Sequence, residues 1–381
     1  SRNEALQKYR AAFDLASRYT FLAAKAYDFE TNFDPNDRLS PRPLLEQIVR
    51  ERTLGQLLDG KPQHRGGLAG VLADLYENFR VIEGQLGFNN PQLEFNRFSL
   101  RKEKFGVPRI PDPYALDQTT RQEGESETDW KNRLASERKF ENFSDWTNHF
   151  NLADRDWKTT LRTFSKSDLW EVPEFRRFCR PFAARGSPEP GLVIPFGTEV
   201  VAGRNFFGRE LSPGDSAYDP SNFSTKIRSV RINLVDYDPS ELALTPRVYL
   251  VPAGLDGMYV PNQSNFRPVF WNVSDQRIPV PVQTGPSDLA RSNWLPTTDS
   301  LGGPLGEIRR FSSFRAYLED ADPDVMTRDT RLVGRSVWNT QWLLIVPGRS
   351  LLSDPEQGLE RFIGSVSDIT LAFETYGSSG N

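Results

Sequence analysis

Residues 66–100 read GGLAGVLADLYENFRVIEGQLGFNNPQLEFNRFSL, and this stretch decides the fold. Its apolar residues recur at steps of three and four, the period of an amphipathic helix. They are Leu68, Val71, Leu72, Leu75, Phe79, Ile82 and Leu86. Gly87 and Pro91 predict the end of this helix, because glycine frees the backbone and proline cannot continue a helix. A polar–apolar alternation begins at Leu93, and no catalytic motif lies on the helix, so we interpret the segment as an assembly element.

Two more helices are predicted before this stretch. Residues 2 to about 32 carry a three–four apolar alternation, and a segment with three prolines ends it. At about 1.5 Å per residue this helix is roughly 45 Å long. A second helix is predicted over residues 43–60, ending at an Asp-Gly pair. Three helices joined by short loops predict an antiparallel bundle.

Residues 105–184 change in composition, since charged residues dominate and few residues of the buried type remain. We interpret this segment as a surface excursion with short helices, one of them charged and lying around residues 128–140. Aromatic and aliphatic anchors return after it. These are Trp146, Phe150, Trp157, Leu161 and Phe164.

From Phe223 onward the pattern predicts β-strands. Residues 224–234 alternate apolar with polar side chains, which indicates a strand with one buried face. The segments RVYLVP and MYVP flank Gly254 and an Asp-Gly pair, and they predict a hairpin. Further strands are predicted in FRPVFWNV, RIPVPV, SVWNTQWLLIVP and VSDITLAFETY, whereas FSSFRAYLED fits a short helix or an edge strand. Repeated short strands with proline-rich links predict a sandwich.

The predicted fold class is therefore α+β, an N-terminal antiparallel helical bundle followed by a mainly antiparallel β-sandwich. The predicted units are residues 1–104 for the bundle, 105–184 for the charged excursion and 185–381 for the sandwich.

Bulk composition excludes several classes of function. The chain of 381 residues has a net charge of −4, which gives no electrostatic reason to expect nucleic acid or an acidic membrane surface as partner. A single cysteine excludes internal disulfides and thiolate metal clusters, and no run of 18 apolar residues predicts a membrane helix. The chain opens SRNEALQKYR, without an initiator methionine or a signal peptide, so we interpret it as a fragment or a processed product.

The candidate nucleophiles and metal ligands lack partners at the required spacing. His64 and His149 are far apart in sequence and have no carboxylate or cysteine at ligand spacing, so a metal site is not expected. Cys179 is flanked by arginines, which would lower its pKa if they lay close in space. No base held by a third group accompanies it, and we expect a half-buried structural cysteine.

Other motifs have a structural explanation beside the functional one. Gly66 and Gly67 precede a helix and present N–H groups to an anion, but close helix packing is the commoner use. Four acidic residues lack the loop pattern of a calcium site, and we interpret them as a solvated turn. They are Glu319, Asp320, Asp322 and Asp324. Three asparagines lie in N-x-S sequons, which matter only in a eukaryotic secretory host. They are Asn142, Asn222 and Asn272.

The aromatic residues of the β half allow two interpretations. Exposed on one face they would form a glycan-binding platform, and buried they would form the sandwich core, which we favour. They are Trp271, Trp294, Trp338, Trp342, Phe206 and Phe207.

Four segments, in order along the chain, carry a family resemblance. They are LAAKAYDFE, HRGGLAGVLADLYENFRVIEGQL, LEFNRFSLRKEKF and the β segments FSTKIRSVRINLVDYDP and VSDITLAFETY. In these segments the chain resembles the C-terminal portion of the A subunit of bacterial Tc (ABC-type) insecticidal toxin complexes. That portion comprises the end of the central helical region and the domain that docks the B subunit. The chain differs from the family in the inserted stretches 105–150 and 185–222.

The resemblance implies a secreted bacterial protein whose five copies form a funnel at the mouth of a translocation channel. The funnel would receive the propeller of the B subunit and let an unfolded toxic cargo pass. No catalysis, cofactor or metal is expected, and the β half would carry the binding. Two alternatives stay open: a free-standing adhesion or carbohydrate-binding module that uses the β-sandwich aromatics, and an enzyme, which would need an acid–base or nucleophile constellation.

Overall fold

The computed structural model describes residues 2–31, 33–34, 36–55, 57–58, 61–62, 66–86, 92–179, 187–244, 246–260, 267–272, 313–315, 332 and 334–379. The described helices are α1 (Arg2–Thr31), α2 (Arg42–Arg50), α3 (Gly67–Leu86), α4 (Glu127–Glu137), α5 (Phe143–Thr163), α6 (Pro173–Phe178) and α7 (Pro355–Ser365). The described strands are β1 (Leu57–Leu58), β2 (Lys61–Pro62), β3 (Gln92–Ser99), β4 (Ser165–Lys166), β5 (Gly191–Phe196), β6 (Asn222–Val235), β7 (Arg247–Pro252), β8 (Leu255–Val260), β9 (Arg267–Asn272), β10 (Ser313–Arg315), β11 (Trp338–Asn339), β12 (Trp342–Pro347) and β13 (Asp368–Ser379). The chain is a mixed α+β protein with antiparallel sheets, which confirms the predicted class.

The helices α1, α2 and α3 pack around a shared apolar cluster. Buried residues from all three contribute to it, among them Ala24 on α1, Ile48 on α2 and Val71 on α3. The predicted bounds of α1 and α3 are confirmed to within a residue or two. Periodicity located these two helices because their apolar residues recur at helical spacing, although in α1 only the C-terminal part of that face is buried.

The helix predicted over residues 43–60 is wrong in its second half. The helix α2 ends at Arg50, and Leu57–Leu58 pairs instead with Lys61–Pro62 as a two-stranded ribbon. The backbone between α2 and β1 accepts hydrogen bonds from the start of α3. The N–H groups of Leu68 and Ala69 donate to the carbonyls of Thr53 and Leu54 at 3.0 and 2.8 Å. A continued helix would hold those carbonyls within its own turns, so α2 stops.

Two antiparallel sheets contribute to one large core. The first has the order β3-β13-β6, with Leu371 of the central strand between Phe98 and Ile232. The second has the order β10-β7-β12-β5-β4 and centres on Leu344. Inward residues of both sheets, together with Trp157 of α5 and residues of α7, belong to the same buried cluster. The strands β3 and β13 therefore join chain segments that are about 270 residues apart.

The strand β6 was predicted to have one buried face, and this prediction is wrong. Its polar residues Ser229, Arg231 and Asn233 are buried as well as its apolar ones. Hydrogen bonds hold two of them, since Ser229 donates to Glu374 at 3.0 Å and Arg231 donates to Oδ1 of Asn233 at 2.9 Å, whereas Nδ2 of Asn233 is buried without a hydrogen-bond partner.

The hairpin predicted for β7 and β8 does not form. The strand β7 pairs with β12 on one side and β10 on the other, so both of its edges are occupied. The chain then turns at Ala253 and Gly254, whose N–H groups both donate to the carbonyl of Gln341. The strand β8 consequently enters a third sheet of order β11-β8-β9.

The segment 105–184 differs from the predicted surface excursion. The charged helix α4 is confirmed, but α5 is a 21-residue helix that buries Trp157 and Leu161 in the main core. A smaller cluster of Trp130, Leu134, Ala135 and Trp146 joins α4 to α5. The strand predictions for FRPVFWNV and VSDITLAFETY are confirmed, and SVWNTQWLLIVP forms two strands. The RIPVPV segment lies outside the described residues, and of FSSFRAYLED only the edge strand Ser313–Arg315 is described.

Candidate functional site

The three-stranded sheet β11-β8-β9 presents an aromatic surface. Register places Trp338, Gly257 and Phe270 in one row across the three strands. Paired residues of an antiparallel sheet share a face, so the two rings flank the glycine on the same side. Leu255 and Tyr259 lie two residues either way along β8 and share that face.

The rings of this surface contact one another edge to face. Phe270 and Trp338 have centroids 5.2 Å apart at 85°, and Tyr259 lies 5.4 Å from Trp338 at 59°. Phe270 is 43 % exposed and Leu255 is 40 % exposed, while Trp338 is 7 % exposed and joins the main core. We name Leu255, Tyr259, Phe270 and Trp338 the aromatic patch. Phe270 and Tyr259 both contact the buried ring of Trp338, which joins this apolar surface to the main core.

Gly257 makes this arrangement possible. A Cβ at this position would lie 2.6 Å from Cε1 of Phe270 and 3.2 Å from Cδ2 of Trp338. Any side chain would therefore push the two rings apart, and glycine lets them meet above the strand.

A buried polar cluster anchors the opposite face of β8. Asp256 accepts a hydrogen bond from Asn339 at 2.8 Å, and its other oxygen lies 3.5 Å from Nη1 of Arg335. Both charged side chains are almost fully buried. Thr198 extends the cluster to the second sheet, because its hydroxyl donates to the carbonyl of Val337 and accepts from the indole of Trp342. The aromatic patch is thus fixed to the core from below.

Burial raises the pKa of Asp256 to about 6, although Arg335 and the Asn339 hydrogen bond act in the opposite direction. Loss of hydration by the carboxylate is thus the larger effect. Such a buried pair gives little net stability but fixes geometry, since breaking it leaves an uncompensated charge. We assign Asp256 and Arg335 a positioning role under the patch.

The aromatic residues singled out in the sequence are mostly core residues. Trp338, Trp342, Phe206 and Phe207 are buried, which confirms the core interpretation for them. The side chain of Trp271 and the whole of Trp294 lie outside the described residues. Phe270, the most exposed ring of the aromatic patch, was not singled out in the sequence.

The candidate catalytic residues have structural contacts. His149 lies on the exposed side of α5 with Nδ1 2.9 Å from the carbonyl oxygen of Asp145. Cys179 is buried in an apolar cluster beside Phe175, and burial raises the pKa of its thiol. It is therefore more deeply buried than predicted. His64 lies outside the described residues.

Gly67 supports close packing, as favoured from the sequence, whereas Gly66 has open space around it. Both have left-handed backbone conformations, with φ of +68° and +70°. A Cβ on Gly67 would lie 2.6 Å from Cα of Gly55. The first N–H groups of α3 already donate to carbonyls of residues 53 and 54, so they are not directed at an anion.

Two of the three sequon asparagines have structural hydrogen bonds, and the remaining sequon side chain and the acidic residues are not described. Asn142 caps α5 by accepting from the N–H of Asp145 at 2.9 Å, and buried Asn222 donates to Glu94 at 2.6 Å. The side chain of Asn272 and the acidic residues 319–324 are outside the described part. Within the described ranges no group of three or more histidine, cysteine or acidic side chains is arranged to hold a metal ion. Nor does any described helix combine the length and apolar run needed to cross a bilayer.

A second apolar feature lies in the helical region. A groove of about 350 Å³ runs between the C-terminal half of α1 and one face of α3. Its walls include Ala23, Ala26 and Glu30 from α1 and Leu72 and Tyr76 from α3. Tyr76 is 58 % exposed, so the groove opens to solvent.

Comparison with known protein families finds no family model that matches this chain, and a search of curated proteins finds no match either.

Proposed function

We propose that this chain is a non-catalytic assembly module that docks another protein through the aromatic patch. The observation that carries the proposal is the pair Phe270 and Leu255, two large apolar side chains exposed on the same face of neighbouring strands. Exposed apolar surface of this kind marks interaction sites in soluble proteins. Aromatic anchors supported from below are also typical of binding hot spots.

The architecture proposed for the module is a helical bundle joined to an antiparallel sandwich. The common cluster of α1, α2 and α3 supports the bundle. The shared core of the sheets centred on Leu344 and Leu371 supports the sandwich. By the resemblance described above, the partner is the B-subunit propeller of a secreted Tc-like toxin complex, docked at the mouth of a protein-translocation channel.

The ring geometry favours a protein partner over a glycan. Sugar platforms need aromatic rings that lie flat and roughly coplanar, whereas Phe270 and Trp338 meet at 85°. A side chain of a protein partner inserts against such an angled pair more readily than a flat sugar ring does.

The proposal predicts that Phe270→Ser weakens binding to a purified Tc-type B-subunit propeller by about tenfold or more, because a central aromatic anchor is removed. The measurement is the Kd by biolayer interferometry with the wild-type full chain as reference. Leu211→Ser is the matched control, because Leu211 is similarly exposed but lies outside the patch.

Two results would overturn the proposal. One is equal affinity of the Phe270→Ser and Leu211→Ser proteins for the propeller, and the other is absence of propeller binding by the wild type. Binding to a glycan array that falls with Phe270→Ser would instead establish the carbohydrate-binding module. Thermal unfolding of each variant verifies that the fold is kept.

A further inference from the structure

A π-helical turn directly after β3 carries three basic residues and one acidic residue. It runs over Leu100–Lys104. The loop between β5 and β6 packs on this turn, because Asn205 donates to the carbonyl of Glu103 at 3.1 Å and the N–H of Ser216 donates to the carboxylate of Glu103 at 2.8 Å. The turn and the loop therefore form one surface that hydrogen bonds hold together.

The acidic side chains under this surface are buried, whereas two of the cations above them reach solvent. Glu103 is 5 % exposed, and the carboxylate of Asp215 is buried where it lies 3.4 Å from Nζ of Lys102. Lys102 itself is exposed, and so is Arg209 on the loop. Solvent at this turn therefore meets mainly positive charge, although the chain as a whole has a net charge of −4.

Arg209 lies across the turn, on both sides of Lys104. Its Nη1 atom is 3.4 Å from the carbonyl oxygen of Lys102, and a Cβ on Gly106 would lie 2.5 Å from the same atom. Residues 102 and 106 are each two positions from Lys104, so the guanidinium lies beside that lysine.

Lys104 and Arg209 are two like charges without a counter-ion. Among the described residues, neither of them forms an ion pair with a carboxylate. Burial and the nearby charge of Arg209 both lower the pKa of Lys104, which is half-buried. An anion beside the two side chains would relieve this repulsion, since an opposite charge stabilises the charged form of each.

The surroundings of Lys104 and Arg209 favour a single carboxylate over an extended polyanion. A guanidinium binds a carboxylate through two parallel hydrogen bonds. Glu210 is exposed next to Arg209 in the chain, and Glu199 lies 4.0 Å from Arg204 on the same loop. A nucleic acid carries a negative charge at every phosphate, so these two acids would repel it along its length.

We propose that Lys104 and Arg209 bind a carboxylate of an acidic segment on a partner protein. The bonds made by Asn205 and Ser216 hold the turn in place, so the partner does not have to order it on binding. The contact replaces the repulsion between two cations with charge-assisted hydrogen bonds. This basic site shares no residue with the aromatic patch and does not depend on the function proposed for that patch.

Binding of a fluorescently labelled hexaglutamate peptide to the full chain tests the basic site. The measurement is fluorescence anisotropy at low ionic strength, where surface charges are screened least. We expect the wild type to bind the peptide and Arg209→Gln to weaken binding by about fivefold or more, with Lys104→Gln acting in the same direction. Arg50→Gln is the matched control and should leave the affinity unchanged, because Arg50 is exposed on α2 and already pairs with Glu46 at 3.4 Å.

Three results would overturn the proposal. The first is absence of binding by the wild type at about 1 mM peptide. The second is equal affinity of the Arg209→Gln and Arg50→Gln proteins for hexaglutamate. The third is inorganic phosphate or a hexathymidylate oligonucleotide that binds at least as tightly as hexaglutamate and loses affinity in the same variants, since this would assign the site to a phosphate. Each of these results would leave propeller docking by the aromatic patch standing.

Discussion

Adjacent glycines at the start of α3 meet different surroundings. Gly66 and Gly67 share the left-handed backbone conformation that side chains disfavour. Only Gly67 also faces another backbone, that of Leu54 and Gly55, whereas a Cβ on Gly66 would meet nothing within 4 Å. Substituting each glycine separately therefore distinguishes the free-energy cost of the left-handed backbone from the cost of a steric clash.

We predict that Gly66→Ala lowers the free energy of unfolding by about 1 kcal/mol, the cost of a left-handed alanine. Gly67→Ala is expected to cost about 3 kcal/mol, because the backbone of Gly55 cannot move aside as a flexible side chain can. Urea unfolding of both variants measures the difference. Equal losses would show that the approach of Gly55 to α3 does not constrain the helix start.

At the residue scale, the sequence predicted the kind of local structure around a residue better than it predicted the contacts that the residue makes. Gly67 stands just before apolar residues that recur at helical spacing, and this position predicted that it lies at the start of a helix. Asp256 and Gly257 were interpreted as a turn, because Asp-Gly is a common hairpin signal. Instead Asp256 anchors the sheet from below and Gly257 makes room for two rings. Both roles depend on Asn339 and Phe270, whose proximity the local sequence does not reveal.

The helix α5 links the charged segment to the main core. Its tryptophans at 146 and 157 lie on one side, and Trp157 donates its indole N–H to the carbonyl of Val366 at 2.8 Å. The same helix also carries exposed residues such as His149. The helix α5 therefore carries both a buried side chain that anchors it to the core and an exposed position where a substitution should change stability little.

We predict that Trp157→Ala lowers the free energy of unfolding by about 3–5 kcal/mol, since it leaves a large cavity and an unsatisfied carbonyl. His149→Ala on the same helix is expected to change it by less than about 0.5 kcal/mol. Chemical denaturation compares the two. A Trp157→Ala protein as stable as the His149→Ala protein would show that α5 is peripheral.

At the element scale, the existence of strands and long helices was predictable and their pairing was not. The alternation that begins at Leu93 does not reveal the partner of β3, which comes from about 270 residues further along the chain. The expected hairpin of β7 and β8 failed for the same reason, since distant β12 pairs with β7. The helix α5 had a visible signal, because its anchors Trp146, Phe150, Trp157 and Leu161 are spaced by four and seven residues.

Among the described residues, the aromatic patch and the helical groove are exposed apolar surfaces built from different elements. The aromatic patch lies on the third sheet, and the groove lies between α1 and α3. The proposed function assigns the patch to a partner protein. Because the two surfaces use separate residues, a variant in the groove should leave binding at the patch unchanged.

Hydrogen–deuterium exchange with and without the B-subunit propeller tests the central claim most directly. The account predicts slower exchange at residues 255–260, 267–272 and 338–339 when the propeller is bound, because the docked partner covers the aromatic patch. The exposed side of α5 serves as the internal reference and should exchange at the same rate in both samples. Unchanged exchange across the patch, with slowing confined to other elements, would contradict the claim that this surface docks the partner.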